Sequence, residues 1–243
     1  MTMWAEIEPA TLNTRLNDGR CDANGNLWIG TMDNGLAAPV GSFYRVGADG
    51  TVVRQFGDVI VSNTVALSPD QRTLYFSDTR RFITWAFDHG PADGTLSNRR
   101  IFVDHRAGRE RPDGACVDSE GALWVAIFGG GRVDRFTHEG LLDRSIALPV
   151  TNPTCVCLGG PRFQTLFITT ARKFLSAERL NHEPLAGSVL AVDVDVPGLP
   201  EKRFGAAHAG RVAQGHRLAA LGGGDHRGHQ LVRRPVPAAH HIA

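Results

Sequence analysis

The chain has 243 residues, a net formal charge of +1, 42% hydrophobic residues and 21% charged ones. That balance is ordinary for a globular protein, and it removes the electrostatic case for nucleic acid or a charged membrane surface as partner. No apolar run approaches the roughly 20 residues of a membrane-spanning helix. The first residues lack the basic start and apolar run of a secretory signal, so a cytoplasmic location is expected.

In chain order, the first unit is NDGRCDANGNLWIGTM, from Asn17. A short alternating strand leads into a turn rich in Asp, Asn and Gly, then the apolar pair Leu27-Trp28. GSFYRVGADGTVVRQF, from Gly41, adds two further β-runs around Gly47-Ala48-Asp49-Gly50. Turns that tight favour Gly and Asp because they use positive φ. The pattern then repeats. SNTVALSPDQRTLYFSDT, from Ser62, has its apolar pair at Leu74-Tyr75, and a hairpin turning at Asp93-Gly94 follows. PDGACVDSEGALWVAIFG, from Pro112, has Leu123-Trp124, followed by a hairpin turning at His138-Glu139-Gly140. TNPTCVCLGGPRFQTLFITT, from Thr151, has Leu166-Phe167. Helical periodicity is nearly absent; a single turn is expected between Lys173 and Asn181, capped by Ser176. The aromatic members Trp28, Tyr75, Trp124 and Phe167 are 47, 49 and 43 residues apart. A period in the forties is that of a four-stranded propeller blade. A β-sandwich, the competing architecture, has no such super-period.

The four cysteines, Cys21, Cys116, Cys155 and Cys157, form no CxxC pair and have no histidine at zinc-finger spacing. They read as reduced core thiols, with Cys155 and Cys157 on one core-facing side of a strand. No Ser-His-Asp arrangement or phosphate loop is evident; Gly129 to Arg132 lacks the Lys-Ser/Thr of a P-loop.

The polar residues that open the repeats carry the functional information. In a propeller, the leading residue of each innermost strand faces the central axis, so equivalent positions converge. Here they read as Asp18, Asn63, Asp113 and Asn152, an axial polar ring with Arg15 and Asn17 just upstream. Converging oxygen donors suit a hard divalent cation. The same Asp-Gly and Asn-Thr steps are also ordinary turn chemistry, so the repeat alone leaves both readings open.

At these residues the sequence resembles the family that includes gluconolactonase and regucalcin (senescence marker protein). The resemblance runs through Arg15-Leu-Asn-Asp-Gly-Arg-Cys-Asp22, Gly25-Asn-Leu-Trp-Ile-Gly-Thr-Met32, Val61-Ser-Asn-Thr64, Leu74-Tyr-Phe-Ser-Asp78, Arg111-Pro-Asp-Gly-Ala-Cys-Val-Asp118 and Gly121-Ala-Leu-Trp-Val-Ala126. Leu185-Ala-Gly-Ser-Val-Leu-Ala-Val-Asp193 looks like the family's closing strand. It implies an all-β, six-bladed propeller of the lactonase type that hydrolyses a sugar lactone with one divalent metal ion (Ca2+, Zn2+, Mn2+ or Mg2+). By the same resemblance, Asn63 and Asp113 are metal ligands and Asp113 is the catalytic base. Arg15 and Asn17 hydrogen-bond the lactone and its hydroxyls. The position aligned with the family's acidic substrate contact is Gly35, which makes Asp33 the expected substitute.

The sequence departs from the family in three places. Thr64 stands where the family has glycine. The family's early Glu-Gly-Pro motif, which supplies a carboxylate to the metal, is absent. The repeat accounts for about four to four and a half blades, so the propeller is expected to be incomplete at its N-terminus. Residues 1–205 are expected to form this partial propeller. Residues 206–243, rich in His, Gly, Ala and Arg, read as a disordered tail or as out-of-frame translation of a normal family end. Besides the lactonase reading, two others remain: a non-catalytic propeller binding calcium or a partner through the same face, and a phosphotriesterase or other esterase on the same scaffold.

Overall fold

A computed structural model describes residues 5–205 and the two-residue strand Val232–Arg233. The expectations for the rest of 206–243 lie outside the described residues. Four four-stranded sheets follow one another along the chain, in a propeller arrangement. The first blade is β1 (Thr14–Cys21), β2 (Leu27–Asp33), β3 (Gly41–Val46) and β4 (Val52–Val59). The second is β5 (Ser62–Leu67), β6 (Thr73–Asp78), β7 (Ile83–His89) and β8 (Leu96–Asp104). The third is β9 (Arg111–Val117), β10 (Leu123–Phe128), β11 (Arg132–Phe136) and β12 (Leu142–Ala147). The fourth is β13 (Pro153–Gly159), β14 (Thr165–Thr170) and β15 (Val189–Asp193), with β16 (Val232–Arg233) added parallel to β15. The single helix among the described residues, α1 (Ala177–His182), is capped by Ser176, whose Oγ accepts from Arg179 N at 3.1 Å.

The apolar pairs explain the period. Trp28 packs with Val65, Leu74 and Phe76 of the second blade. Tyr75 packs with Leu123 and Val125 of the third. Trp124 packs with Val156, Leu166 and Ile168 of the fourth. Each of these three aromatic residues faces the next blade, and the leucine before the aromatic of the following repeat faces back. Strand alternation therefore builds the core between blades. Two of the aromatics are also pinned by an aspartate six residues earlier: Trp28 Nε1 donates to Asp22 at 2.9 Å and Trp124 Nε1 to Asp118 at 2.8 Å. The turn Asp-x-x-Gly-x-Leu-Trp is thus a built unit, with Gly25 and Gly121 at φ of 79° and 85°.

The cysteines are all free. Cys155 and Cys157 do share a strand face, but Val156 and Leu158 take the core side and Cys157 is exposed. The alternation was readable; its phase was not, because thiols and valines are both small and apolar. Across the lower channel, Arg20 donates from Nε to Val65 O and from Nη2 to Ala115 O, and it pairs with Glu201. One guanidinium therefore stitches three inner strands together.

Candidate active site

Every innermost strand carries a register shift near its start: between Leu16 and Gly19, Asn63 and Ala66, Pro112 and Ala115, and Pro153 and Cys155. Such bulges re-aim side chains at the rim of a sheet. Below the shift, Arg20, Ala66, Cys116 and Cys157 pair with Trp28, Tyr75, Trp124 and Phe167. Above it, Leu16, Ser62, Pro112 and Pro153 pair with Thr31, Asp78, Ile127 and Thr170. The register thus aligns Asn17, Asn63, Asp113 and Thr154. Asp18 lies one residue past that level. Asn152 lies two residues before it, and its Nδ2 donates to Lys173 O at 2.8 Å.

Three of the aligned residues, Asn17, Asn63 and Asp113, border a cavity of about 400 Å³ at one mouth of the channel. Its lining includes Arg15, Asn17, Asn63, Thr79, Arg80, Arg111, Asp113, Phe128, Lys173 and Phe174. Four expected residues, Arg15, Asn17, Asn63 and Asp113, come together there. Asp33 is not among the lining residues. Its carboxylate accepts from Gly35 N, Ala37 N and Ala38 N at 3.1, 2.9 and 2.8 Å, and these bonds hold its pKa below the usual range. Asp33 shapes the loop that presents Gly35 and Leu36 to the cavity instead of facing it.

A directed chain of hydrogen bonds joins the site. Arg15 Nη1 donates to Asn17 Oδ1 at 3.2 Å. Asn17 Nδ2 donates to Ser62 O at 2.7 Å and to Asn63 Oδ1 at 3.0 Å, which commits both of its protons. Asn63 Nδ2 donates to Thr79 Oγ1 at 2.8 Å, and the Thr79 hydroxyl donates to Pro112 O at 2.7 Å. Thr64, where the family's glycine was expected, adopts the left-handed φ of 56° that suits glycine. Its hydroxyl donates to Asp113 O at 2.6 Å, tying the second blade to the residue that carries the ring carboxylate.

Asp113 borders the channel, where water reaches it, but protein surrounds it on its other sides. Burial, then the charge of Asp18, push its carboxyl up to about 8 against one favourable backbone N–H from Gly114. Burial raises Asp18 as well, although Val65 N at 2.8 Å, Arg20 and Gly19 N oppose the shift. Two neighbouring carboxylates with little compensating positive charge form a site that a cation would relieve. With Asn63 Oδ1, this oxygen set fits a hard divalent ion that keeps several waters. It is not a closed cage: among the described residues no group of three or more His, Cys, Asp or Glu is placed to hold a metal.

Sequence reading did not assign the remaining lining residues: Thr79, Arg80, Arg111, Phe128, Lys173 and Phe174. One signal was available. Arg111 precedes Asp113 by the same two residues that separate Arg15 from Asn17.

The fold and the channel-mouth site define a β-propeller with an axial polar centre. Residues 1–172 match the model of the SMP-30/Gluconolactonase/LRE-like region, and the chain belongs to that family. It is 40% identical over 202 residues to a 6-deoxy-6-sulfogluconolactonase of Pseudomonas putida, covering 82% of this chain and 69% of the relative. It is 38% identical over 204 residues to a regucalcin of Danio rerio, covering 82% and 69%. Among solved structures, a calcium-binding regucalcin of Agrobacterium tumefaciens superposes with a TM-score of 0.80 at 31% identity, covering 84% of this chain and 69% of that one.

Proposed function

We propose that the chain is a lactonase that opens the ester of a sugar lactone to the aldonic acid. The observation that carries this reading is the meeting of Asn63, Asp113, Arg15 and Asn17 at one cavity, on a scaffold whose relatives include a named sugar lactonase. Asn63 and Asp113 would hold one divalent cation, which when bound supplies Lewis-acid polarisation of the lactone carbonyl.

The chain's own residues supply the rest. The Asp113 carboxylate takes a proton from the water that attacks the carbonyl carbon; the C–O ester bond then breaks, the departing ring oxygen takes that proton from Asp113 to become the sugar hydroxyl, and the new carboxylic acid ionises to solvent. Arg15 is exposed and uses one of its donor nitrogens locally, so its fork retains N–H groups for the substrate's oxygens. Asn17 is a positioning residue: both of its N–H groups are committed, and it orients Arg15 and Asn63. Its Oδ1 retains a lone pair able to accept from a substrate hydroxyl.

The test follows acid release from D-glucono-1,5-lactone and L-arabino-1,4-lactone with added Ca2+, Zn2+ or Mn2+, in wild type and Asp113→Ala. Metal-dependent turnover that Asp113→Ala abolishes supports the reading. A folded sample with no turnover of any lactone sinks it. Calcium binding without turnover would instead support the non-catalytic propeller, a reading favoured by the calcium-binding description of the Agrobacterium tumefaciens structure.

A further inference from the structure

The cavity is unusually cationic. Arg15, Arg80, Arg111 and Lys173 line it, and Asp113 is the single carboxylate among the lining residues. The four cations come one from each blade. Arg15 lies on β1, Arg80 on the turn after β6, Arg111 opens β9, and Lys173 follows β14. Elsewhere, Arg20, Arg81, Arg100, Arg106, Arg132, Arg135, Arg144 and Arg179 each pair with a carboxylate, and the described arginines that do not, such as Arg45, Arg54, Arg72, Arg99 and Arg109, are not grouped at this opening. Among the described residues, none of the four cavity cations has an ion-pair partner.

Two of them are held by aromatic rings. The Arg111 guanidinium lies 5.5 Å from the Phe128 ring centroid, and the Lys173 ammonium lies 5.0 Å from that of Phe174. Phe128 and Phe174 meet edge to face at 6.3 Å. Stacking fixes a cation in place while leaving its N–H groups unshared. Phe174 is 66% exposed and sits at a left-handed φ of 65°, while Asn152 holds the preceding carbonyl. This rim is built at a cost in exposed apolar surface and backbone strain. A neutral polyhydroxylated lactone needs hydrogen-bond donors and acceptors, but not several unpaired positive charges grouped at one opening.

We infer that the substrate carries an anionic substituent—sulfonate, phosphate or carboxylate—away from the lactone carbonyl, and that Arg111 and Lys173, assisted by Arg80, bind it. The inference rests on the lactonase reading and names its substrate class. The lactone ring sits toward Asn63 and Asp113, and the anionic group lies toward the Phe128–Phe174 side. Arg111 offers a planar fork to the anion oxygens and Lys173 a compact charge.

The experiment compares kcat/KM for neutral D-glucono-1,5-lactone with that for its 6-phospho and 6-deoxy-6-sulfo counterparts, in wild type, Arg111→Gln and Lys173→Gln. Wild type is expected to favour the anionic lactones by at least about tenfold, and each variant to lower the anionic-to-neutral ratio by about tenfold. Added salt should lower the same ratio. Lys173 is exposed, so its variant reports even where Arg111→Gln folds poorly. Equal turnover of neutral and anionic lactones, or a ratio unmoved by the variants, overturns the inference and leaves the lactonase reading standing. If no lactone is turned over, that reading fails, and calorimetry decides the present one. Preferential binding of 6-phosphogluconate over gluconate, lost in the variants, sustains an anion site; equal binding removes it.

Discussion

Asp118 offers a stringent test of how the site-bearing strand is anchored. It follows β9, five residues after Asp113, and is fully buried. One carboxylate oxygen accepts from Glu120 N and Ala122 N, both at 3.0 Å; the other accepts from Trp124 Nε1 and Arg135 Nε, both at 2.8 Å. Replacing it with alanine orphans a buried indole N–H and one face of a guanidinium that is itself 6% exposed. An unsatisfied buried donor costs about 1–3 kcal/mol, and breaking a buried ion pair costs about 3–5 kcal/mol when the remaining charge is abandoned. Arg135 is not abandoned: it keeps Asp143 at 2.6 Å and Glu120 at 2.7 Å. The lower end therefore applies, and Asp118→Ala should cost about 3 kcal/mol. For a domain of this size that is a fall in Tm of about 6–12 °C. Asp118→Asn keeps an acceptor for Trp124 and should lose about half as much. Urea denaturation followed by circular dichroism measures both. A loss below about 1 kcal/mol for the alanine variant would refute the claim that this carboxylate anchors the turn.

Three further outcomes follow from the geometry. Thr64→Ala keeps the left-handed φ and loses the bond to Asp113 O, whereas Thr64→Gly loses the bond but releases the strain; alanine should be the less stable by about 1 kcal/mol, and the opposite order in equilibrium denaturation would count against strain at this position. Asp33→Ala should raise KM for the lactone and lower Tm, since it removes the acceptor of three backbone N–H groups and frees the loop carrying Gly35 and Leu36; an unaltered KM would separate that loop from the site. Burial holds His105 below the usual imidazole range, against the opposing pull of Glu110 and Asp134 and with Arg132 adding to the depression. The folded state therefore binds this proton less tightly than the unfolded chain. Its contribution to stability is present above the unfolded pKa of about 6.5 and is lost as pH falls through that value. His105→Gln should narrow the difference in urea midpoint between about pH 7.5 and pH 5.5, and an identical pH dependence in the variant would exclude His105 as a source.

The blade period was legible because one physical demand recurs. In Leu27-Trp28, Leu74-Tyr75, Leu123-Trp124 and Leu166-Phe167 the two residues point to opposite faces of a sheet, and wherever a described blade stands alongside, the residue facing it is buried. The meeting of Asn63 and Asp113 at one mouth follows from the same period. Local phase was harder to read. All four inner strands carry the same one-residue shift, so what differs is how far each polar residue stands from it: Asn17, Asn63, Asp113 and Thr154 share one level, Asp18 stands one residue past it and Asn152 two residues before it. Asp33 looked free because a turn carboxylate and a substrate-binding carboxylate have the same sequence signature. Arg80 and Lys173 were invisible for another reason: they come from connecting loops, whose convergence depends on how blades stand around the axis rather than on any spacing along the chain.

The chain of bonds from Arg15 to Pro112 also settles which way an amide points. Asn63 has an oxygen and a nitrogen of nearly equal size, and shape alone would let either face the channel. The carbonyl of Pro112 can only accept, so the single hydroxyl proton of Thr79 is committed to it. Thr79 must then receive from Asn63, which turns the amide nitrogen away from the axis and its oxygen toward it. The handedness of the amide is dictated by one proton on the neighbouring strand, so the electronegative edge at the channel mouth is already oriented before any ligand arrives.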